Sequence, residues 1–565
     1  MAAPYISLSE EEIPKVVEDS FPYYKYPEGP RKYQLEYIIK ALKAFRKYKY
    51  VAINAPTGAG KSCIAFTVSK IMNKYGTINK DYHQKTFFTV PYITLQNQYC
   101  EDFEEMEFIK GTSNYTCVKS GSDCATAPCR MPVLNTKVLS AHYSICMYAA
   151  AKRAASACPM TLFNITSFLT FLNYTQVFDS RKLLICDEAH TLERVLCNFI
   201  TVNFSSLKLA KFGIFEIPKF NLPSEYMSWM MDLKDILAET YEKIKKKTIN
   251  IRVKDTDNIK NLLSEQEFKL FKIAVAYLEK INIFEIVKEE LDSNFVVNLV
   301  KFSKGNQTIE FKPVMVDKFA HKHLFAFSEC VLFLSATMYK DSFCRDMGIK
   351  KEELYYEEIP STFPEPKKRR PLFVEKRLGA FNYKNLQEKL PAILNRVEEI
   401  TSIYGKVKGL INTHTFKICD YVLKNASKDL KQRLISHKGG TENAFGMSRE
   451  EALEKHCSSS EPTILISPSM YEGIDLKDDL GRFGIICKVP FSSLIDPQIK
   501  KRMEIDYIWY QWQTVLKIIQ AYGRIVRSQK DWGYTFILDA GFISLYNRCS
   551  YMFPKWVKEA IILKN

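Results

Sequence analysis

Tyr50-Val-Ala-Ile-Asn-Ala-Pro-Thr-Gly-Ala-Gly-Lys-Ser62 is the stretch whose reading decides the fold. A β-branched, apolar run enters a glycine-bearing loop, and a helical pattern leaves it through Ile64, Phe66, Val68 and Ile71, ending near Gly76. That is the strand–loop–helix context of a phosphate-binding loop. Gly58 and Gly60 let the backbone turn its N–H groups inward around phosphate oxygens, together with Thr57 and Ala59. The helix beginning near Lys61 adds its positive end. Lys61 is placed to reach the β- and γ-phosphates, and Ser62 to ligate Mg²⁺. The general pattern opens on glycine, where this chain has Ala55. A glycine turn beside a surface lysine is the plain alternative, and the flanking strand and helix count against it. The stretch implies binding and hydrolysis of a nucleoside triphosphate.

With 565 residues the chain has room for several domains with large cores. It is 46% hydrophobic and 25% charged, as globular proteins are, and its net charge of +16 favours a polyanionic partner. Nucleic acid is the better choice than membrane, because no amphipathic basic segment stands out. The first residues carry Glu10, Glu11 and Glu12 and no apolar run, so no secretory signal is read there. No run approaches the ~20 apolar residues of a membrane span. An intracellular protein, in the cytoplasm or in a nucleus, is therefore expected, with its 15 cysteines reduced or metal-bound. Pro366-Lys-Lys-Arg-Arg370 has the composition of a nuclear import signal, though a basic solvated linker is the simpler reading.

Upstream of the loop, Arg31-Lys-Tyr-Gln34 opens a helix, and a glutamine there can both donate to and accept from an adenine edge. Downstream, Lys85–Val90 reads as a buried strand. Cys117, Cys124, Cys129 and Cys146 then gather in an irregular stretch with the spacing C-x6-C-x4-C-x16-C. Clustered thiols in an intracellular chain suggest a metal or iron–sulfur site, with zinc competing and four unrelated cysteines as the plain alternative. Lys182–His190 is a hydrophobic strand ending in Asp187 and Glu188. Functional groups of parallel α/β sheets sit at strand carboxyl ends. Asp187 is placed to hold Mg²⁺, and Glu188 to orient and deprotonate the attacking water.

The interval from Lys61 to Asp187 is roughly twice what two or three βα units of ~30 residues need, so the cysteine stretch is an insertion. A second insertion spans 196–325, with helical patterns, a Ser264-x-x-Glu267 capping box and a hairpin of 295–302 with 308–316 around Gly305-Asn306. Lysines 243, 245, 246 and 247 there either face nucleic acid or form a solvated helix face. Cys330–Met338 is another buried strand, ending in the hydroxyls of Ser335 and Thr337. Residues 350–372 read as a linker, after which strands recur at 408–413, 463–467, 483–489 and 534–539. Glu472-Gly473-Ile-Asp475 and Gln520-Ala-Tyr-Gly-Arg524-Ile-Val-Arg527 are the informative pieces of this second half. Arg524 and Arg527 are three apart, hence neighbours on a helix face, and read as arginine fingers toward a γ-phosphate, with Gln520 beside them.

In this order the pieces resemble a superfamily 2 DNA helicase of the XPD/DinG type, over both motor domains. The stretches that carry the resemblance are Ala55–Ser62, the Asp187-Glu-Ala-His190 box, Ser335–Thr337, Glu472–Asp475 and Gln520–Arg527. Asn114-Tyr-Thr-Cys117 and Cys146-Met-Tyr resemble the family's iron–sulfur domain, which makes Cys117, Cys124, Cys129 and Cys146 the implied ligands of a 4Fe–4S cluster. The implied fold is α/β: two RecA-like parallel-sheet motor domains in tandem, the first (1–104, 160–195 and 326–355) carrying an iron–sulfur-type insertion (105–159) and a small, mainly helical arch-like insertion (196–325), the second spanning 370–565. The implied activity is ATP-dependent, 5′→3′ translocation on single-stranded DNA with duplex unwinding. ATP, Mg²⁺ and the cluster are its cofactors, and single-stranded and forked DNA its partners, bound by a monomer. Implied nucleotide contacts are Arg31, Gln34, Thr57–Ser62, Gly473 and Asp475. RNA or an RNA–DNA hybrid as substrate, and an ATP-switched clamp without processive unwinding, are the alternatives. Length and the Ser361–Pro364 arrangement resemble compact, phage or viral members. The Cys124–Cys129 spacing is wider than in the eukaryotic XPD branch, and the arch-like insertion is small.

Overall fold

The structure is a computed structural model that describes every residue except 1–3, 57, 119–120, 122, 128–143, 250–263, 303–304, 438–445, 472–473, 527–529 and 565. The first half of the chain contributes Tyr50–Asn54 (β1), His83–Val90 (β2), Glu107–Ile109 (β3), Met160–Asn164 (β4) and Arg181–Asp187 (β5). Val202–Ser205 (β6), Phe295–Lys301 (β7) and Gln307–Pro313 (β8) follow, then Ser328–Ser335 (β9) and Leu354–Glu358 (β10). The second half contributes Leu372–Glu375 (β11), Gly409–Asn412 (β12), Leu434–Ser436 (β13), Ile464–Ser467 (β14), Phe483–Ile486 (β15), Tyr534–Ile537 (β16) and Ile561–Lys564 (β17).

These strands make two seven-stranded sheets, in the orders β10-β1-β9-β5-β2-β4-β3 and β13-β14-β12-β15-β16-β11-β17. Every pairing within them is parallel. Two RecA-like α/β lobes therefore stand in tandem. Parallel sheets are covered by helices on both faces, so central strands need apolar side chains in both directions. Strand β1 meets this requirement: Val51 and Ile53 enter one core with Leu332 and Leu334, while Tyr50 and Ala52 enter the opposite core with Val331 and Phe333. The helix Lys61–Tyr75 covers the first of these faces through Ile64, Phe66 and Val68, and Gly76 caps its end.

The opposite core runs on into the second insertion, where Tyr226, Met230, Leu233, Phe284 and Phe311 continue it without a break. Strands β6, β8 and β7 form an antiparallel sheet there, and the helices Met227–Ile249 and Glu265–Ile286 pack beside it. Ser264 accepts a hydrogen bond from the Glu267 N–H, closing the capping box that starts the second helix. Lys272 Nζ donates to the Ala125 carbonyl at 2.7 Å, tying this insertion to the cysteine stretch.

The span 350–372, expected as a linker, contains β10, which pairs in register with β1 from Tyr50↔Leu354 to Asn54↔Glu358. The first lobe thus runs to Glu358, past the expected limit of 355. An edge strand has only one neighbour and a wet flank, so it carries Tyr355, Tyr356, Glu357 and Glu358 instead of an apolar run. The same reason hides β17, whose last residues, Leu563 and Lys564, are exposed.

Candidate active site

Three neighbouring strands end at one place. The phosphate loop follows β1, Ser335 ends β9 and Asp187 ends β5, and the pairing aligns Asn54 with Ser335 and Asp187 with Leu334. Adjacent carboxyl ends of a parallel sheet are where such folds hold ligands. In the loop, Gly58 and Gly60 have φ of 82° and 78°, the left-handed region that glycine enters without strain. A Cβ at Gly60 would collide with the Gln34 amide.

Arg31 Nη1 donates to the Gly58 carbonyl at 2.6 Å, and Gln34 Nε2 donates to the Gly60 carbonyl at 3.2 Å. Gln34 Oε1 accepts from the Arg31 N–H at 2.6 Å, so one end of this buried amide is anchored while the other braces the loop. Ala59 N–H closes a turn onto the Pro56 carbonyl. Thr57 lies outside the described residues.

Lys61 Nζ stands 3.5 Å from Glu188 Oε1. Glu188 has φ 51° and ψ 46°, a left-handed conformation that costs a non-glycine residue about 1–2 kcal/mol. Its carbonyl accepts from Thr191 Oγ1 at 2.8 Å and from the Thr191 N–H at 2.9 Å, and its N–H donates to Asp187 Oδ1 at 2.8 Å. Those bonds hold the turn that aims the carboxylate at Lys61. Asp187 is 5% exposed, and burial beside Glu188 pushes its carboxyl up to about 6. The Tyr99 hydroxyl donates to Asp187 Oδ2 at 2.8 Å and also bonds to the Ser62 hydroxyl. Asp187 and Ser62 therefore share one buried hydroxyl, and burial raises the Tyr99 phenol well above its ordinary value. A carboxylate and a hydroxyl joined in this way fit a small, hard cation, whose charge would also relieve the buried acid.

The second lobe reaches this site through the helix Tyr507–Tyr522. Gln520 Nε2 lies 2.8 Å from His190 Nε2. An amide nitrogen only donates, so His190 Nε2 accepts and its proton sits on Nδ1, facing Ser335 Oγ at 2.9 Å and Glu188 Oε2 at 3.4 Å. One imidazole thus connects the Asp187–His190 turn, the end of β9 and the second lobe. Tyr99, His190 and Ser335 were not assigned site roles from sequence. The last two stand within the stretches Asp187–His190 and Ser335–Thr337, whereas nothing local in the chain flags Tyr99.

Arg524 does not lie on a helix face beside Gln520. The helix ends at Tyr522 with Gly523 as its cap, and Arg524 follows in a turn. Its Nε donates to the Tyr471 carbonyl at 2.8 Å and its Nη1 to the Ile474 carbonyl at 3.1 Å, so the guanidinium rests on the loop of its own lobe. Gly523 is the signal that could have placed the helix end. Arg527 and Gly473 lie outside the described residues, and Asp475 is exposed on the loop after Ile474.

Behind His190 a cavity of about 300 Å³ opens between the two lobes and the second insertion, with Arg194, Lys312, Gln498, Trp509 and Lys517 in its walls. Lys517 Nζ donates to Ser492 Oγ at 2.8 Å, and Lys312 pairs with Glu310 at 3.2 Å and Asp496 at 3.6 Å. In the cysteine stretch, Cys117, Cys124 and Cys146 are 4%, 2% and 8% exposed, and Cys146 precedes the helix Met147–Ala157. Among the described residues no three His, Cys, Asp or Glu side chains converge on a metal position, and the fourth candidate, Cys129, lies outside them. No helix among the described residues is long and apolar enough to cross a membrane.

Two RecA-like lobes that close a phosphate loop, an acidic strand end and a glutamine-bearing helix around one cleft define a nucleotide-dependent motor architecture. Comparison with known proteins agrees. The helicase C-terminal domain family matches residues 406–560, and the family of the type III restriction enzyme res subunit matches 28–212. The ATP-dependent DNA helicase YoaA of Haemophilus influenzae is 20% identical over 449 residues, covering 70% of this chain and 66% of that protein. The regulator of telomere elongation helicase 1 homolog of Caenorhabditis briggsae is 29% identical over 106 residues, 16% of this chain, and the chain spans about a tenth of that relative's length. A solved XPD helicase superposes with a TM-score of 0.63 at 17% identity, covering 95% of this chain and all of that one. These likenesses agree with the resemblance of the chain to superfamily 2 helicases of the XPD/DinG type.

Proposed function

We propose that the protein is an ATP-dependent DNA helicase that moves 5′→3′ on single-stranded DNA and parts duplex ahead of it. The observation that carries this reading is the hydrogen bond from Gln520 to His190 across the lobes, at the turn that also presents Glu188 to Lys61. A phosphoryl group bound at Gly58–Ser62 would be contacted from both lobes at once.

In this mechanism the loop N–H groups and Lys61 hold the β- and γ-phosphates of ATP. Asp187 and Ser62 would hold Mg²⁺, which would offset charge on the phosphate oxygens. Glu188 accepts a proton from the attacking water as its oxygen bonds to the γ-phosphorus and the bond to the ADP oxygen breaks. Gln520 Oε1, buried with no hydrogen-bond partner among the described residues, is an acceptor that orients that water. Arg524 joins the γ-phosphate by leaving the Tyr471 and Ile474 carbonyls as the lobes close, with Arg527 beside it. Arg31 and Gln34 contact the adenine edge, Gln34 exchanging its Gly60 bond for the base, and Gly473 and Asp475 line the far side of the nucleotide.

The translocating strand runs along the cavity behind His190, where Arg194, Lys312 and Lys517 offer charge to its phosphates, so binding is sequence-independent and falls with salt. Aromatic residues, 13% of the chain, supply stacking surfaces for bases. Cys117, Cys124, Cys129 and Cys146 would hold a 4Fe–4S cluster in the insertion 105–159, and residues 196–325 would act as the arch. The protein works as an intracellular monomer. RNA as the tracked strand is the second reading, favoured by nothing specific in the site. Unwinding of duplexes tailed with DNA or RNA at either end tests the proposal. Unwinding confined to 5′-DNA-tailed duplex supports it, whereas ATP-dependent binding without strand separation would leave an ATP-switched clamp.

A further inference from the structure

The helix Tyr507–Tyr522 packs against the first lobe, Trp512 on the Tyr339 ring at 5.7 Å and a neighbouring stripe on the element that follows Glu188. Trp509, Gln513, Leu516 and Gln520 recur at helical spacing and so share one face. The two ends of that stripe are held very differently. At the start, Trp509 Nε1 donates to Glu193 Oε2 at 2.9 Å, and Gln513 Nε2 donates to the same oxygen at 3.3 Å. Asp506, which caps the helix by accepting from the Trp509 N–H at 2.9 Å, also lies 2.6 Å from Arg345 Nε of the first lobe. Arg502, on the preceding helix Pro497–Ile505, is fully buried and pairs with Asp346 of the first lobe at 2.5 Å. Its guanidinium also lies 3.8 Å from Glu193 Oε1 and 5.2 Å from the centre of the Trp509 ring.

At the far end Gln520 meets His190 of the first lobe through a neutral bond, and Arg524 beyond it donates to carbonyls of its own lobe. Buried charges cannot be parted without exposing or orphaning them, whereas one amide–imidazole bond is readily exchanged. Eleven residues of helix at 1.5 Å each separate Trp509 from Gln520 by about 16 Å. Glu193 itself sits three residues beyond His190, at the start of the helix Leu192–Ile200 that continues the 3-10 turn Ala189–Thr191, so both holding points follow directly on Asp187 and Glu188.

We propose that Glu193, Arg502 and Trp509 are positioning residues that pin the first turn of the helix Tyr507–Tyr522 to the first lobe. Closure on nucleotide is then a swing of the helix about that pin, carrying Gln520 and Arg524 over the γ-phosphate. This rests on the ATP-motor reading above. The pin is no part of the phosphate loop. It fixes the arc along which the catalytic end travels, and small misplacements of catalytic groups have large effects on rate.

The test is steady-state ATP hydrolysis by Trp509→Phe, which keeps the ring and loses the donor, and by the milder Gln513→Ala. Each is made alone and together with Gln520→Ala, with ATP-analogue binding and melting temperature measured alongside. Trp509→Phe is expected to lower kcat about tenfold with KM for ATP and analogue affinity held within about twofold, and to add nothing in the Gln520→Ala background. Gln513→Ala shifts kcat in the same direction without a change in melting temperature. Unchanged kcat in both variants, or losses that multiply with that of Gln520→Ala, would overturn the pin. Absence of ATP turnover in the unaltered protein would overturn the motor reading itself, a separate result.

Discussion

Gln520 and His190 approach to 2.8 Å across the cleft between the lobes, although 330 positions separate them in the chain. The imidazole's other nitrogen faces Ser335 at 2.9 Å and Glu188 at 3.4 Å, so His190 stands between the second lobe and the carboxylate proposed to activate water. Gln520→Ala is therefore expected to lower kcat for ATP roughly a hundredfold while ATP-analogue affinity stays near that of the unaltered protein. His190→Ala should act in the same direction and not add fully to Gln520→Ala, because both remove one bond. Single-turnover hydrolysis with a separate binding titration checks this.

Asp187 makes the free protein sensitive to pH. Its folded-state value of about 6 lies above the ordinary 3.8, with burial as the first cause and Glu188 as the second. A carboxyl raised on folding favours the folded state below its unfolded value, and that advantage is lost as pH rises from about 4 to about 6. At pH 7.5 the ionised, buried Asp187 costs on the order of 3 kcal/mol without nucleotide and magnesium. Asp187→Asn should consequently be more stable than the unaltered protein at pH 7.5, equal to it near pH 4, and inactive in hydrolysis. Denaturant unfolding at the two pH values measures the difference.

Arg181 offers a purely structural prediction. It is 2% exposed, and its guanidinium donates to the Thr86 carbonyl at 2.9 Å, to Thr161 Oγ1 at 2.8 Å and to the Ala155 carbonyl at 3.2 Å. Face-on contact with the Phe87 ring at 4.4 Å completes its surroundings. Arg181→Leu removes these donations to buried oxygens, of which the Ala155 carbonyl keeps its bond from Thr161 Oγ1, for a loss of about 3 kcal/mol. Since Ala155 lies on the helix that leads out of the cysteine stretch, proteolysis of that stretch should quicken as well.

The cysteines make a compositional prediction. Protein purified without oxygen should be brown and contain iron, and Cys117→Ser, Cys124→Ser and Cys146→Ser should each remove colour and iron while ATP-analogue binding at Gly58–Ser62 persists. Stoichiometric zinc in colourless protein would replace the cluster with a zinc site.

Legibility in the sequence followed locality and burial. Strands β1, β5 and β9 are buried on both faces, so Tyr50–Asn54, Lys182–Asp187 and Cys330–Ser335 stand out as apolar runs. The edge strand Leu354–Glu358 has water along one side, and its tyrosines and glutamates read as linker. The phosphate loop is legible because its backbone demands glycine at 58 and 60. Contacts such as Gln520 to His190 or Trp509 to Glu193 depend on how two lobes dock, which no window of sequence encodes. The helix face expected for Arg524 failed for a local reason, the stop at Gly523, which the arginine spacing overshadowed.

Hydrolysis of ATP with and without single-stranded DNA, by the unaltered protein and by Glu188→Gln, tests the central claim most directly. The account expects phosphate release that DNA stimulates about tenfold or more, and a Glu188→Gln protein that binds ATP yet releases phosphate at background. DNA-stimulated turnover that survives Glu188→Gln would contradict it.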